Sequence, residues 1–306
     1  MKVTFCALCR DAAAMESIGQ AAKALFPPDT EYLLIDHSRT GVDCYQALRE
    51  FTAKAQGELI IVSHDDISFE GLTFQDLLLE IEKAREEDPA SAVYGIAGCT
   101  EGFRDVGHFR DATTEHCWGF PNGEKVVSLD EVFLVIRNGQ GIGVSMELSG
   151  FHLYGTDLCL NAGRAGKTCR VIDFPVIHHS EGKIDGGFFK AKDAFEDHLR
   201  NIGEEGVIKT TCSYLYGGHD PAKKTIALLK SWKLLAAHPS KDVARPCIAE
   251  RGRHVIGGLW DIRVFGIWLP EYAGNLKSRF HAHRRRLKKA LFGERKRAGK
   301  GGAQSR

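Results

Sequence analysis

The chain has 306 residues, 43% of them hydrophobic and 26% charged, with a formal net charge of +1. That profile belongs to a soluble globular protein with a core for one large domain, or one domain and a smaller appendage. It excludes a membrane-spanning helix, which needs roughly 18 unbroken apolar residues, because the nearest candidate, 255–269, is interrupted by Asp261 and Arg263.

Residues 1–5 run straight into a predicted strand without the apolar stretch and small-residue cleavage site of a secretory signal, so a cytoplasmic protein is expected. The nine cysteines are odd in number and scattered singly apart from Cys6 and Cys9. This pair falls inside the predicted first strand rather than opening a helix, and no second pair completes a zinc site. Both are read as buried core thiols.

In chain order, 3–8 reads as a strand and 12–26 as a helix with Met15, Ile18, Ala22 and Leu25 on one face. Pro27 and Pro28 stop that helix. A strand at 31–36, a helix at 42–55, a very apolar strand at 59–63, a helix at 72–85 and a strand at 92–98 follow. This alternation argues for an α/β fold with a mostly parallel sheet covered on both faces. Near-continuous apolar strands fit it, because parallel strands are buried on both sides.

The segment 102–123 is polar and reads as a loop. Beyond it, 125–137 reads as one strand, 151–165 as a helix, and 168–177 as a strand ending at His178 and His179. After about residue 205 the regular alternation is lost. From 277 to 306 the chain carries Lys277, Arg279, Arg284, Arg285, Arg286, Lys288, Lys289, Arg295, Lys296, Arg297, Lys300 and Arg306 against Glu294 alone. Such polarity marks a tail with its own partner. The expected organisation is a domain over 1–205, a C-terminal extension over 206–275, and a basic amphipathic helix with a disordered end over 276–306.

In open α/β sheets, ligands bind beyond the carboxyl ends of the strands. Asp36 ends the second strand, His64, Asp65 and Asp66 follow the third, Asp130 and Glu131 lie in the strand after the polar segment, Asp157 opens a helix, and His178 and His179 close the last strand. Adjacent carboxylates at a buried strand end repel, and a cation relieves the repulsion. Acidic and imidazole groups converging on one edge suit a divalent ion with a phosphate ligand. Taken singly, Asp65 or Asp66 could instead begin a turn, Asp157 could complement its helix dipole, and the paired histidines could be surface residues.

Together, three segments resemble bacterial GT-A glycosyltransferases of the large inverting family that includes cellulose and capsule enzymes (family 2-like). The matching residues are His64-Asp65-Asp66-Ile67, Tyr154-Gly155-Thr156-Asp157 and His178-His179-Ser180-Glu181-Gly182, with Tyr94-Gly95-Ile96-Ala97-Gly98 and Asp130 between them. The resemblance covers roughly residues 1 to 190. It implies a Rossmann-like GT-A fold and transfer of a sugar from a nucleotide-sugar donor to a glycan or lipid-linked acceptor in surface polysaccharide or glycoconjugate assembly. In that reading Asp66, helped by Asp65, binds Mn2+ or Mg2+ at the donor diphosphate, with His178 or His179 as a further ligand. Asp157 is the general base, Asp36 faces the nucleotide, and Asp130 faces a sugar. The chain departs from the family in having Asp36-His37-Ser38-Arg39 where relatives carry an acidic pair and Gly-Ser, and Thr156-Asp157 where many carry Glu-Asp.

Rival readings are a related nucleotidyltransferase and a non-catalytic module that binds nucleotide sugars. The run Gly139-Gln140-Gly141-Ile142-Gly143 lacks the following helix of a dinucleotide loop and is read as a flexible loop near the active site. The basic tail reads as a solvated charge run or as a helix resting peripherally on anionic lipid. Nucleic-acid binding is least favoured, since no recognised module accompanies the charge.

Overall fold

The structure, a computed structural model, describes residues 1–111, 115–119, 121, 123–180 and 184–235. The basic tail expected over 276–306, and the part of the expected extension beyond 235, lie outside the described residues. In chain order the elements are β1 (Val3–Cys9), α1 (Ala12–Leu25), β2 (Glu31–Asp36), α2 (His37–Thr40), α3 (Cys44–Lys54), β3 (Leu59–Ser63), β4 (Ile67–Ser68), α4 (Phe74–Glu87), β5 (Ser91–Gly95), β6 (Ala97–Cys99) and β7 (Asp105–Asp111). They continue with β8 (Glu115–Trp118), β9 (Glu124–Val126), β10 (Ser128–Leu129), β11 (Phe133–Arg137), α5 (Tyr154–Arg164), β12 (Thr168–Val171), β13 (Ile177–His178), α6 (Gly186–Asn201), β14 (Val207–Lys209), β15 (Tyr214–Tyr216) and α7 (Pro221–Leu235).

Local sequence sets the helix starts. The Asp11 carboxylate accepts from Ala14 N at the head of α1, while Asp43 with Gln46 and Thr73 with Asp76 form capping boxes on α3 and α4. Each satisfies backbone donors that a helix start leaves unpaired.

The large sheet has seven strands in the order β2-β1-β3-β11-β5-β12-β9. β1 runs parallel to β2 and β3, β5 parallel to β12, and β11 is inserted antiparallel between β3 and β5. The mostly parallel, Rossmann-like α/β class expected from the sequence therefore holds. Side chains alternate between two cores, one on each face. Phe5, Ile61, Phe133 and Val135 pack with Ile18 and Ala22 of α1 and with Leu77 and Ile81 of α4. Cys6, Ile60, Val62 and Leu134 pack with Leu48 and Phe51 of α3, Leu158 of α5 and Phe195 of α6. The thiols of Cys6 and Cys9 are fully buried, and burial pushes Cys9 up to about 12. Among the described residues no helix is long and apolar enough to cross a membrane.

A smaller sheet, β10-β6-β7-β13-β4 with β8 on β7, sits at the carboxyl edge of the first. It corrects three expectations. The polar segment 102–123 is not a loop but contains the antiparallel β7–β8 pair. The single strand expected over 125–137 is three: β9 closes the large sheet, β10 joins the small one, and β11 returns to the large one. The strand expected over 168–177 is likewise divided, β12 in one sheet and β13 in the other. In the last two cases the sheet changes where the apolar run is broken by a Ser, Asp or Pro.

The loop 139–143 follows Arg137, which pairs with Leu59 at the start of β3. It therefore leaves the large sheet at the end opposite His64 and Asp66, and runs on to Ser145, which hydrogen-bonds Asp157. Gly155 is required where α5 begins, because a Cβ there would lie 2.5 Å from the Leu129 carbonyl oxygen. That contact seats the helix directly on β10.

His108 anchors β7 from below. Its Nδ1 lies 2.6 Å from Asp173 Oδ1 and its Nε2 2.5 Å from Glu115 Oε1. Burial opposes protonation, but the hydrogen bonds that the imidazole donates to Asp173 and Glu115 outweigh it and raise the imidazole above its usual range. The stabilisation is thus complete below the unfolded imidazole value of about 6.5 and is lost as pH rises through the folded value. The urea midpoint is expected to fall between pH 6 and pH 9 in the wild type, with that component removed in His108→Gln.

Candidate metal centre

β3 ends at Ser63, and its ladder continues one step further through His64 N donating to Val132 O at 3.0 Å. The chain then bends into β4, which pairs antiparallel with β13 so that His178 stands opposite Ile67. His179 N donates to Asp66 O at 2.9 Å and locks the two segments together.

The result is a cluster of His64, Asp66 and His178, whose candidate ligand atoms all lie within 4.8 Å of one another. Asp66 Oδ1 is 3.2 Å from His178 Nε2 and 3.8 Å from His64 Nδ1. The Ser180 hydroxyl is 3.3 Å from His178 Nε2. Burial would raise the Asp66 carboxyl, but the hydrogen bond and charge of His178, with His64 and Ser180, hold it well below the usual carboxylate range. Desolvation, and after it the neighbouring His178, lower His64. A carboxylate that stays ionised and a neutral imidazole with its lone pair available are the protonation states a cation needs. Two imidazoles and one carboxylate match the ligand preferences of a first-row transition ion better than those of Mg2+, which favours oxygen.

The other expected residues are placed unequally. Asp65 turns away from the cluster; its Oδ2 accepts from Arg10 N at 2.7 Å and pairs with Arg10 Nε at 3.3 Å, tying the loop after β1 to the end of β3. Asp36 is 7% exposed, and its Oδ1 accepts from the Ser38 hydroxyl at 2.6 Å. Its Oδ2 is buried without a hydrogen-bond partner among the described residues. Asp130 borders His64 electrostatically; its Oδ1 accepts from Val132 N and its Oδ2 from the Thr211 hydroxyl at 2.9 Å.

His179 and Asp157 also fall outside the cluster. His179 is the next residue on β13, so pleating sends its ring to the other face, where Nε2 lies 3.0 Å from Ser68 Oγ. Asp157 is fully buried; Oδ2 accepts from Ser145 N at 2.6 Å and Oδ1 from the Ser145 hydroxyl at 2.7 Å. Ser145 in turn contacts His198 Nε2 and Asn161 Nδ2, each at 3.2 Å. This network faces α6 and borders an open cavity of about 880 Å³ lined by Gly141, Gly143, Asn161 and Arg164, apart from the metal cluster.

Two residues with a place in the site were named from the sequence among the groups at this edge but given no role of their own. His64 was seen only as a neighbour of the carboxylates, although the two-residue spacing to Asp66 could have marked it. Glu131 sits at the mouth of α5, with Oε1 3.4 Å from Gly155 N. Burial, and next the charge of Asp130, push its carboxyl up to about 8.

No family model matches the chain. It is 29% identical over 206 residues to ATP synthase subunits region ORF 6 of Fuscovulum blasticum, an alignment spanning 64% of this chain and 82% of that protein. Among solved structures it is similar to the mannosyltransferase PcManGT from Pyrobaculum calidifontis in complex with GDP-Man and Mn2+, at 11% identity and a TM-score of 0.43 over 90% of this chain and 80% of that one. It is also similar to S. aureus TarS in complex with UDP-GlcNAc, at 10% identity and a TM-score of 0.40 over 78% of this chain and 68% of that one.

Proposed function

We propose that the chain is an inverting, metal-dependent glycosyltransferase that moves a sugar from a nucleotide-sugar donor to a glycan or lipid-linked acceptor. The observation that carries this reading is the His64, Asp66 and His178 cluster at the carboxyl edge of a mostly parallel sheet, the edge where Asp36 keeps a buried carboxylate oxygen unpaired. A divalent cation held by the cluster supplies positive charge against the departing nucleoside diphosphate, so no acid is needed there.

The chain's own residues do the rest. Asp36 Oδ2 is available to a hydroxyl or N–H of the nucleoside, a partner its burial otherwise lacks. Asp65 holds Arg10 at the same edge, where the guanidinium can meet phosphate oxygens. A single displacement with inversion needs one base and no covalent nucleophile. We assign the acceptor proton to the Asp130 and Glu131 pair rather than to Asp157. Thr211 orients Asp130, and a carboxyl raised to about 8 makes Glu131 a stronger proton acceptor than an ordinary glutamate.

The test is a panel of nucleotide sugars, including GDP-mannose and UDP-N-acetylglucosamine, assayed for hydrolysis and transfer with Mn2+, Co2+ or Mg2+ and with chelator. Turnover is expected with Mn2+ or Co2+ and about tenfold less with Mg2+, following the two imidazoles in the ligand set. Equal rates under chelator would remove the metal role. Release of sugar 1-phosphate in place of free nucleoside diphosphate, the mark of attack on phosphorus instead of the anomeric carbon, would identify a nucleotidyltransferase.

A further inference from the structure

The β7–β8 pair carries an aromatic cluster that the proposed chemistry does not use. Phe109 stacks on His116 at a centroid distance of 4.8 Å, and Trp118 meets Phe109 edge-on at 5.3 Å and His116 at 5.9 Å. Trp118 is 38% exposed and the other two rings are half-buried, so the cluster has a solvent-facing side. Large aromatics are costly to leave in water, and here the exposed Trp118 is backed by Phe109, which itself packs against the core, so the apolar surface it offers is a firm one.

Its position follows from the strand register. Phe109 pairs with His116 and Gly107 with Trp118, so all three rings lie on one face of the hairpin. β7 runs parallel to β13, with His178 opposite Asp111, two residues beyond Phe109. Pleating therefore puts His178 on the face that carries the rings. From His178, Phe109 is one strand away and two residues back, about 8 Å; Trp118 is two strands away and four residues back, about 16 Å. The opposite face of the same strand is fixed by His108 between Asp173 and Glu115, which holds the rings in a set orientation.

We infer that Phe109, His116 and Trp118 form a stacking platform for a carbohydrate ring of the acceptor, leading along the sheet to the metal cluster. This rests on the glycosyl-transfer reading for its place in the reaction, but not for the binding itself. The C–H face of a pyranose is apolar and matches an aromatic surface, whose exposed part here is Trp118. A platform extending about 16 Å from His178 reaches past the first sugar, so the favoured acceptor has two or more rings.

The experiment is saturation-transfer NMR with methyl glycosides of mannose, glucose, galactose and N-acetylglucosamine, and with methyl maltoside and methyl cellobioside. It compares wild type, Trp118→Ala and Trp118→Phe, with Mn2+ binding followed in parallel by electron paramagnetic resonance. At least one disaccharide is expected to receive saturation through its ring C–H protons. Trp118→Ala should reduce that signal at least fivefold and Trp118→Phe should restore most of it, with Mn2+ binding unchanged in all three. No transfer to any glycoside, or transfer unaltered in Trp118→Ala, overturns the platform. Sugar contact that survives in a protein without Mn2+ binding would overturn the metal site and leave the platform standing.

Discussion

Asp66→Ala is expected to abolish detectable Mn2+ binding and to lower sugar transfer at least about 100-fold, since loss of even outer-shell partners of a metal costs 10- to 100-fold. The reason lies in the geometry of the cluster. Asp66 is its only carboxylate and lies between both rings, 3.2 Å from His178 and 3.8 Å from His64. Without it, two imidazoles remain, with no anionic charge at their centre to offset the dehydration of an ion. His179→Ala is the matched control, because that ring reaches Ser68 instead. Wild-type Mn2+ binding in Asp66→Ala, or its loss in His179→Ala, would move the metal centre elsewhere. Electron paramagnetic resonance titration and donor turnover read both.

Asp157→Ala is expected to destabilise the fold by about 3 kcal/mol, because it strands polar groups in the core. Ser145 N loses its acceptor, the Ser145 hydroxyl loses its stronger partner, and the void lies against Leu158 and α6. Asp157→Asn keeps one oxygen for Ser145 N and places an amide beside a hydroxyl that can accept, so a smaller loss of about 1 kcal/mol is expected. Urea unfolding of the three proteins gives the measurement. A variant Asp157→Asn that unfolds like the wild type yet has lost transfer would return this residue to the reacting centre.

The large sheet was legible because its strands are short apolar runs separated by amphipathic helices, the first of them stopped by Pro27 and Pro28. The carboxylates at the end of β3 stood out for the same reason, since polarity changes abruptly between Val62 and Asp65. The small sheet was not legible. β4, β10 and β13 are two residues each, too short for any period, and are defined only by their distant partners. Asp157 illustrates a further limit: the first turn of a helix can present a carboxylate to solvent or to a neighbouring loop, and Ser145, twelve positions away, decides which. The choice between His178 and His179 likewise hung on how β13 is registered against β4, where His178 stands opposite Ile67, a fact of pairing rather than composition.

The cluster draws its ligands from two separate layers. His64 and Asp66 leave the large sheet at β3, and His178 arrives on the small one, with β4 and β13 joining the two by a pairing of only two residues. Such a brief seam has little strength of its own, so an ion seated across it acts as a rivet as well as a reagent. Occupancy would then be felt as slower amide exchange at Ile67 and His178, far more than in the interior of β1 or β3.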